Sequence, residues 1–241
     1  MPLVFKHQSP TFTASLKNTI MPKRMKIAVI EDHALMRDLL IRVCCEAVKG
    51  STGVGAGDAA SGLKLCRTEK PDVIILDLAL PDRNGLDLLD ELISNTPEVK
   101  IIGLSGYMDE FTVYRVLGSR LHGFVDKAAH TSEQLAAAIH TVLDGERYFS
   151  PSVIKAWTNL RNDPAAFDKI LSEREQNFLC LFGQGLSNDQ IATSVNLSEL
   201  TVRNHRCRIM AKLGLRTSAE LISYAFEKGF VRARSGSMVP A

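Results

Sequence analysis

The stretch PDVIILDLALPDRNG, Pro71 to Gly85, decides the fold. Val73 to Leu76 are four consecutive apolar residues, and a carboxylate, Asp77, ends the run. A turn rich in Pro, Asp, Asn and Gly follows, then GLDLLDELIS with Leu86, Leu89 and Ile93 on one helical face. A short, wholly apolar run beside a helix reads as a strand of a parallel sheet, covered on both faces. Outward from it the same alternation repeats. KIAVI, STGVGAG, KIIGLS and GFVD read as strands, the second diluted by glycine. ALMRDLLIRVCCEAV reads as a helix with its face at Leu35, Leu39, Ile41, Val43 and Ala47, and AASGLKLCRTE, DEFTVYRVLGS and SEQLAAAIHTVLDG as three more. Five strands alternating with helices of ten-odd residues predict an α/β, doubly wound parallel five-stranded sheet.

Such sheets bind ligands beyond the carboxyl ends of their strands. Glu31 and Asp32 follow the first strand, Asp77 ends the third, Ser105 the fourth, and Lys127 follows the fifth. Each alone reads as a turn residue, a helix cap or a solvated charge; together, at four strand ends of one edge, they read as a site. Clustered carboxylates repel and hold protons unless a cation relieves them. A hard oxygen set with a hydroxyl and a Lys suits Mg²⁺ and a phosphoryl group, with Asp77 as nucleophile.

The bulk numbers agree. The chain has 241 residues, 45% hydrophobic and 23% charged, an ordinary globular composition long enough for two modest domains. No run approaches the roughly 18 apolar residues of a membrane span, and the N-terminus has no apolar core of a secretory signal. Five cysteines without metal-ligand spacing, two of them adjacent (Cys44 and Cys45), predict reduced thiols and a cytoplasmic protein. Residues 171–241 carry nine Lys and Arg against six Asp and Glu, whereas residues 27–170 are acidic overall. A basic back module is a pointer to DNA.

IAVIEDH, VIILDLALPDRNGLDLL, IIGLSGY and GFVDK resemble the receiver domain of two-component response regulators over about residues 25–146, with spacings of 28 from Asp77 to Ser105 and 22 from there to Lys127. The resemblance implies a flavodoxin-like (CheY-like) fold with Asp77 as phosphoacceptor, Asp32 and Asp77 as direct Mg²⁺ ligands, Glu31 acting through water and the Ala79 backbone carbonyl completing the set. It makes Ser105 the switch hydroxyl, Lys127 the phosphate-binding Lys and Phe124 the switch aromatic. The chain departs from the pattern at three places. Phe124 lacks a hydroxyl; Ala128 stands where many receivers have Pro; Arg120 takes the place of a usual Gly, so that turn is expected to be strained or rebuilt.

From Leu171 the chain reads as four short helices. Ser172 with Glu175 forms a capping box, Asn188 caps the second helix, Ser198 the third and Thr217 the last. On the third, Val202, Ile209 and Leu213 share a narrow arc and face inward; Arg203, Asn204, Cys207, Arg208 and Lys212 lie opposite or beside it. LSERE, GLSNDQIA, LSELTVRNH and KLGLRTSAEL resemble the LuxR/NarL-type helix-turn-helix over 168–231. The likeness implies that those five residues contact DNA and that the last helix pairs two protomers.

The combined expectation is a NarL/FixJ-type response regulator: not an enzyme, phosphorylated on Asp77 by a histidine kinase, binding double-stranded promoter DNA as a homodimer, with no membrane partner. Residues 1–24 read as a disordered extension with Met25 as an alternative start, 147–167 as a linker with a helix at Val153–Leu160, and 232–241 as a tail. Before phosphorylation the acidic receiver is expected to dock on the basic reading helix and hide Asn204 and Arg208. Two rival readings stand beside it. A haloacid-dehalogenase-type phosphatase needs an acid two residues past its nucleophile, where this chain has Ala79. A phosphate-independent DNA-binding regulator with a vestigial receiver is the other.

Overall fold

The computed structural model describes residues 24–128, 131–234 and 237–240; the expectation for the N-terminal extension, Arg24 apart, lies outside them. Strands β1 (Lys26–Ile30), β2 (Thr52–Ala56), β3 (Val73–Asp77), β4 (Lys100–Ser105) and β5 (Gly123–Asp126) form one parallel sheet. A sixth strand corrects the expected five: β6 (Tyr148–Phe149) adds beside β5, giving the order β2-β1-β3-β4-β5-β6. Two residues are too short to announce a strand by period, and only the neighbouring edge of β5 defines it.

Helices α1 (Ala34–Ala47) and α5 (Ser132–Leu143) cover one face. Helices α2 (Ala59–Glu69), α3 (Leu89–Asn95) and α4 (Glu110–Gly118) cover the other. All five residues of β3 are buried, as a strand in the middle of such a sandwich must be. β2 lies at the edge and is half exposed. Its glycines are spacers: a Cβ on Gly53 would lie 2.5 Å from Ile41 Cγ2, so α1 packs there because no side chain intervenes.

The buried stripe of α1 differs from the expected one. Leu40 and Cys44 are buried, whereas Leu35 is 88% and Leu39 43% exposed. A helix apolar on several sides does not say which arc faces the sheet. Likewise Gly85–Leu88 is a 3₁₀ turn, and Leu88, Leu89 and Leu92 take the inward positions. Arg120 does not strain its turn: the described non-glycine residues with positive φ are Lys70 and Asn196. The turn is rebuilt, with the Arg120 guanidinium bonded to Asp90. Ala128 donates its N–H to Asp126 Oδ1 at 2.9 Å, a bond Pro lacks the hydrogen to make.

Residues read as linker are structured: β6 leads into α6 (Pro151–Asn162) and α7 (Phe167–Ile170). The second unit holds α8 (Glu173–Gly183), α9 (Asn188–Val195), α10 (Glu199–Leu213) and α11 (Ser218–Glu227). Ser172 and Glu175 form the expected capping box. The second box is Ser187 with Gln190; Asn188 is the first residue of α9 rather than its cap. Gly214 (φ 68°) and Gly229 (φ 82°) follow α10 and α11 in the left-handed region, where glycine carries no Cβ penalty. The segment read as a tail forms an antiparallel hairpin, β7 (Val231–Arg234) with β8 (Ser237–Pro240). Among the described residues no helix is long and apolar enough to cross a membrane.

Candidate functional site

The carboxyl edge of the sheet brings the expected residues together. Glu31, Asp77 and Ser105 are buried, at 1%, 3% and 0% exposure. Lys127 Nζ donates to Glu31 Oε2 at 2.6 Å and to Asp77 Oδ2 at 2.8 Å. The other oxygen of Asp77 accepts the Ala79 N–H at 2.9 Å. Burial pushes the Lys127 pKa down, but the Asp77 and Glu31 carboxylates outweigh it and hold the ammonium above its ordinary value; it stays charged through the neutral range. One cation thus holds two buried carboxylates that would otherwise repel each other.

Asp32 is half-buried at the mouth of the pocket. His33, which the sequence reading passed over, places Nδ1 2.9 Å from Asp32 Oδ1 and 3.5 Å from Glu31 Oε1. Ligand atoms of Glu31, Asp32 and His33 lie within 4.8 Å of one another. Two carboxylates here, with Asp77 beyond them, are the hard oxygen donors that Mg²⁺ takes, and the donor set fits that ion. Ala79 forms an isolated bridge with Asn84, which fixes the loop carrying its carbonyl. Asp82 anchors the same loop to the start of α2 by accepting the Ala59 and Ala60 N–H groups at 2.9 and 3.1 Å.

Ser105 Oγ accepts the Tyr107 N–H at 3.0 Å, so the hydroxyl already ties down the loop that leads into α4. Phe124 is fully buried. Its ring lies over Gly103, its register partner on β4, where a Cβ would come within 3.1 Å of Phe124 Cδ2. Val153 of α6 joins the same core cluster, and the Ser150 N–H donates to the Phe124 carbonyl at 3.0 Å, so the segment read as linker is tied to the residue read as switch.

In the second unit, Val202 and Ile209 are buried, as expected. Arg203, Asn204, Cys207 and Arg208 are exposed on α10. Lys212 is placed differently from them: its ammonium bonds Glu175 Oε2 at 2.7 Å and the Ile170 carbonyl at 3.3 Å, within its own domain. Arg206 is a residue the sequence reading missed. Its guanidinium bonds Asn188 Oδ1 and the Leu186 carbonyl, and stacks over Phe182 at 4.3 Å. It locks α10 against α9 and thereby aims the exposed strip. No period marks such a residue, because a basic side chain on a basic helix looks solvated in sequence.

The two units touch, but not where expected. Among the described residues the receiver does not cover the exposed strip of α10. Instead Phe111 of α4 stacks on Phe230 with centroids 4.1 Å apart, and Phe167 meets both rings edge-on, at 5.9 Å from Phe111 and 4.9 Å from Phe230. Lys228 Nζ pairs with Glu110 at 2.6 Å, Arg232 with Asp109 at 3.3 Å and with the Thr112 hydroxyl, and the Phe111 N–H donates to the Lys228 carbonyl at 3.0 Å. The attraction is acidic receiver to basic module, as the charge asymmetry implied. The basic residues used are those just past α11.

Cys207 gives a direct probe of the exposed strip. Burial pushes the thiols of Cys44, Cys66 and Cys180 up to about 12, and Cys207 is exposed. A maleimide at neutral pH is expected to modify Cys207 first, and saturating duplex DNA at low salt to slow that reaction. An unchanged rate with DNA bound, followed by peptide mapping, would place the DNA elsewhere.

A sheet whose carboxyl edge gathers three acids, a hydroxyl and a Lys, joined to a helix-turn-helix, defines a response regulator with a DNA-binding output. The family model of the response regulator receiver domain matches residues 27–140, and that of bacterial regulatory proteins of the luxR family matches residues 169–225. The oxygen regulatory protein NreC of Staphylococcus aureus is 33% identical over 213 residues, 85% of this chain and 98% of NreC. The response regulator protein VraR of Staphylococcus epidermidis is 27% identical over 211 residues, 86% of this chain and 99% of VraR. RcsB from Salmonella enterica serovar Typhimurium, solved on a promoter with a phosphomimetic, shares the fold at a TM-score of 0.58 and 24% identity, over 83% of this chain and 97% of RcsB. The chain belongs to the two-component response regulators, and within them to the NarL/FixJ type, transcription regulators with a receiver and a LuxR-type helix-turn-helix.

Proposed function

We propose that this protein is switched by transfer of a phosphoryl group from a histidine kinase to Asp77, and that the switch governs its pairing on promoter DNA in the cytoplasm. The observation that carries the reading is Lys127 Nζ shared between Glu31 Oε2 and Asp77 Oδ2. One Asp77 oxygen attacks phosphorus, the P–N bond of the donor phosphohistidine breaks, and the freed imidazole nitrogen keeps the electron pair and takes a proton. Asp77 becomes an acyl phosphate. Lys127 turns from the carboxylate to the new phosphoryl oxygens. Asp32, Asp77 and the Ala79 carbonyl would hold Mg²⁺, with Glu31 acting through water. When bound, the ion neutralises charge on the transferring group.

Ser105 then donates its hydroxyl to a phosphoryl oxygen. That movement disturbs the Tyr107 N–H bond to Ser105 Oγ. Tyr107 carries the Arg232 guanidinium over its ring at 4.2 Å, and the next turn supplies Asp109, Glu110 and Phe111. The path from pocket to effector is therefore one loop long. The docked contact restrains the end of α11, the helix read as pairing two protomers, and leaves α10 open. This supports control of dimerisation on DNA rather than masking of the reading helix.

Arg203, Asn204, Cys207 and Arg208 contact the duplex in this reading, and Lys212 joins them by leaving Glu175. Binding should weaken with salt at a log–log slope of about −0.9 per phosphate neutralised. Double Ala substitution of Arg203 and Arg208 is expected to flatten that slope by about two phosphates. An unchanged slope and affinity would show that another surface holds the DNA.

A further inference from the structure

Arg37 stands on the first turns of α1 and points back at the acid pocket. Its Nη1 donates to the Glu31 carbonyl at 2.7 Å and lies 3.5 Å from the Asp32 carbonyl. Its partners are backbone oxygens; among the described residues it pairs with no carboxylate. The remaining backbone ties of this turn are Glu31 N–H to the Ala56 carbonyl at 3.0 Å and Arg37 N–H to the His33 carbonyl at 2.9 Å. His33, the residue before α1, makes no side-chain cap.

The guanidinium reaches the turn along a slot in β2. A Cβ on Gly55 would lie 2.8 Å from Arg37 Cδ, 3.0 Å from Cγ and 3.1 Å from Ile41 Cδ1, so Arg37 makes the tighter contacts, and one on Gly57 would lie 3.3 Å from Nη1. Neither glycine has a positive φ, so backbone conformation does not require them there. The room they leave for Arg37 does.

We infer that Arg37 is a positioning residue of the cation site: it fixes the backbone from which Glu31 and Asp32 project, without touching the cation or the phosphoryl group. The inference rests on the reading of this edge as a Mg²⁺-assisted phosphoacceptor site. A guanidinium suits the task, because Nη1 alone carries two N–H donors, enough for both carbonyls, and the group keeps its charge at every working pH. Groups that orient ligands from behind typically alter metal affinity by about 10- to 100-fold when removed.

The test titrates Mg²⁺ alone into the full-length protein by calorimetry, beside intact-mass measurement after acetyl phosphate with Mg²⁺. Arg37→Met keeps an apolar stem and loses the donors; it is expected to weaken Mg²⁺ binding about tenfold, with phosphorylation recovering at high Mg²⁺. Arg37→Lys, able to reach one carbonyl, should recover part of the loss. Gly55→Ala pushes the stem out of its slot with the guanidinium still present and should weaken Mg²⁺ binding in the same direction. Unchanged affinity in a folded Arg37→Met overturns the inference. Should that variant lose its fold, unchanged affinity in Gly55→Ala does so. A wild-type protein that neither binds Mg²⁺ nor gains mass would instead sink the reading of the site on which the inference rests.

Discussion

Asp77→Asn is expected to abolish phosphorylation. With acetyl phosphate and Mg²⁺ the wild-type chain should gain one phosphoryl group by intact mass, and the Asn variant none. The effect is all-or-none because the amide oxygen is a far poorer nucleophile than a carboxylate and the amide would have to lose a proton to form a neutral product. The fold survives. Asn retains an oxygen to accept either the Ala79 N–H or the Lys127 ammonium, and Lys127 keeps its bond to Glu31. The variant also removes one of two buried negative charges, so thermal stability should change little. Mass gain in the Asn variant would mean that another residue accepts the phosphoryl group. No gain in the wild type would favour the rival regulator with a vestigial receiver.

Phe111→Ala is expected to unlatch the two domains without phosphate. The Phe111 ring belongs to the core cluster of the second unit, with Phe167, Phe230 and Leu160, and not to either cluster that flanks the receiver sheet. Removing it therefore spares the receiver core and empties the interface. Truncating a buried Phe costs about 3–5 kcal/mol in a core. Even half of that moves the ratio of docked to open chain by more than about tenfold. The unphosphorylated variant should show a larger radius of gyration in solution scattering and bind duplex DNA as a dimer at lower protein concentration than wild type. Lys228 and Arg232 would lose their acidic partners in the same opening, so added salt should shift wild type in the same direction. A variant with unchanged scattering and unchanged DNA affinity would show that the contact does not restrain the output.

Much of the site was legible because its chemistry sits at strand ends. Asp77 closes an apolar run, and Glu31, Ser105 and Lys127 stand at equivalent places on neighbouring strands of the sheet. In a parallel sheet those places share one edge, so spacing in the chain becomes proximity in space. The helix caps were legible for a similar reason: Ser172 and Glu175 satisfy each other's backbone within three residues. Arg37, Arg206 and Asp82 were not. Each holds backbone or side-chain atoms of another segment, and nothing in the local pattern separates such a side chain from a solvated one.

The sequence by itself determined the alternation of strands and helices, the edge that carries the acids, and the capped helix-turn-helix with Val202 and Ile209 inward. All of these follow from interactions within a few residues or from the period of one element. Only the tertiary structure decided which side of α1 is buried, that β6 joins the sheet, and that the module docks through Phe111, Phe230 and Lys228 and leaves the strip at Arg203, Asn204, Cys207 and Arg208 exposed. Those outcomes depend on what packs opposite. Leu35 and Leu40 are equally apolar, and only the position of the sheet distinguishes the 88% exposed residue from the 3% exposed one. Charge asymmetry likewise predicted that the domains attract, but charge acts over a Debye length and does not select a patch. The stacked rings and the Gly229 turn, where a Cβ would overlap the Asp109 carboxylate, select it by contact.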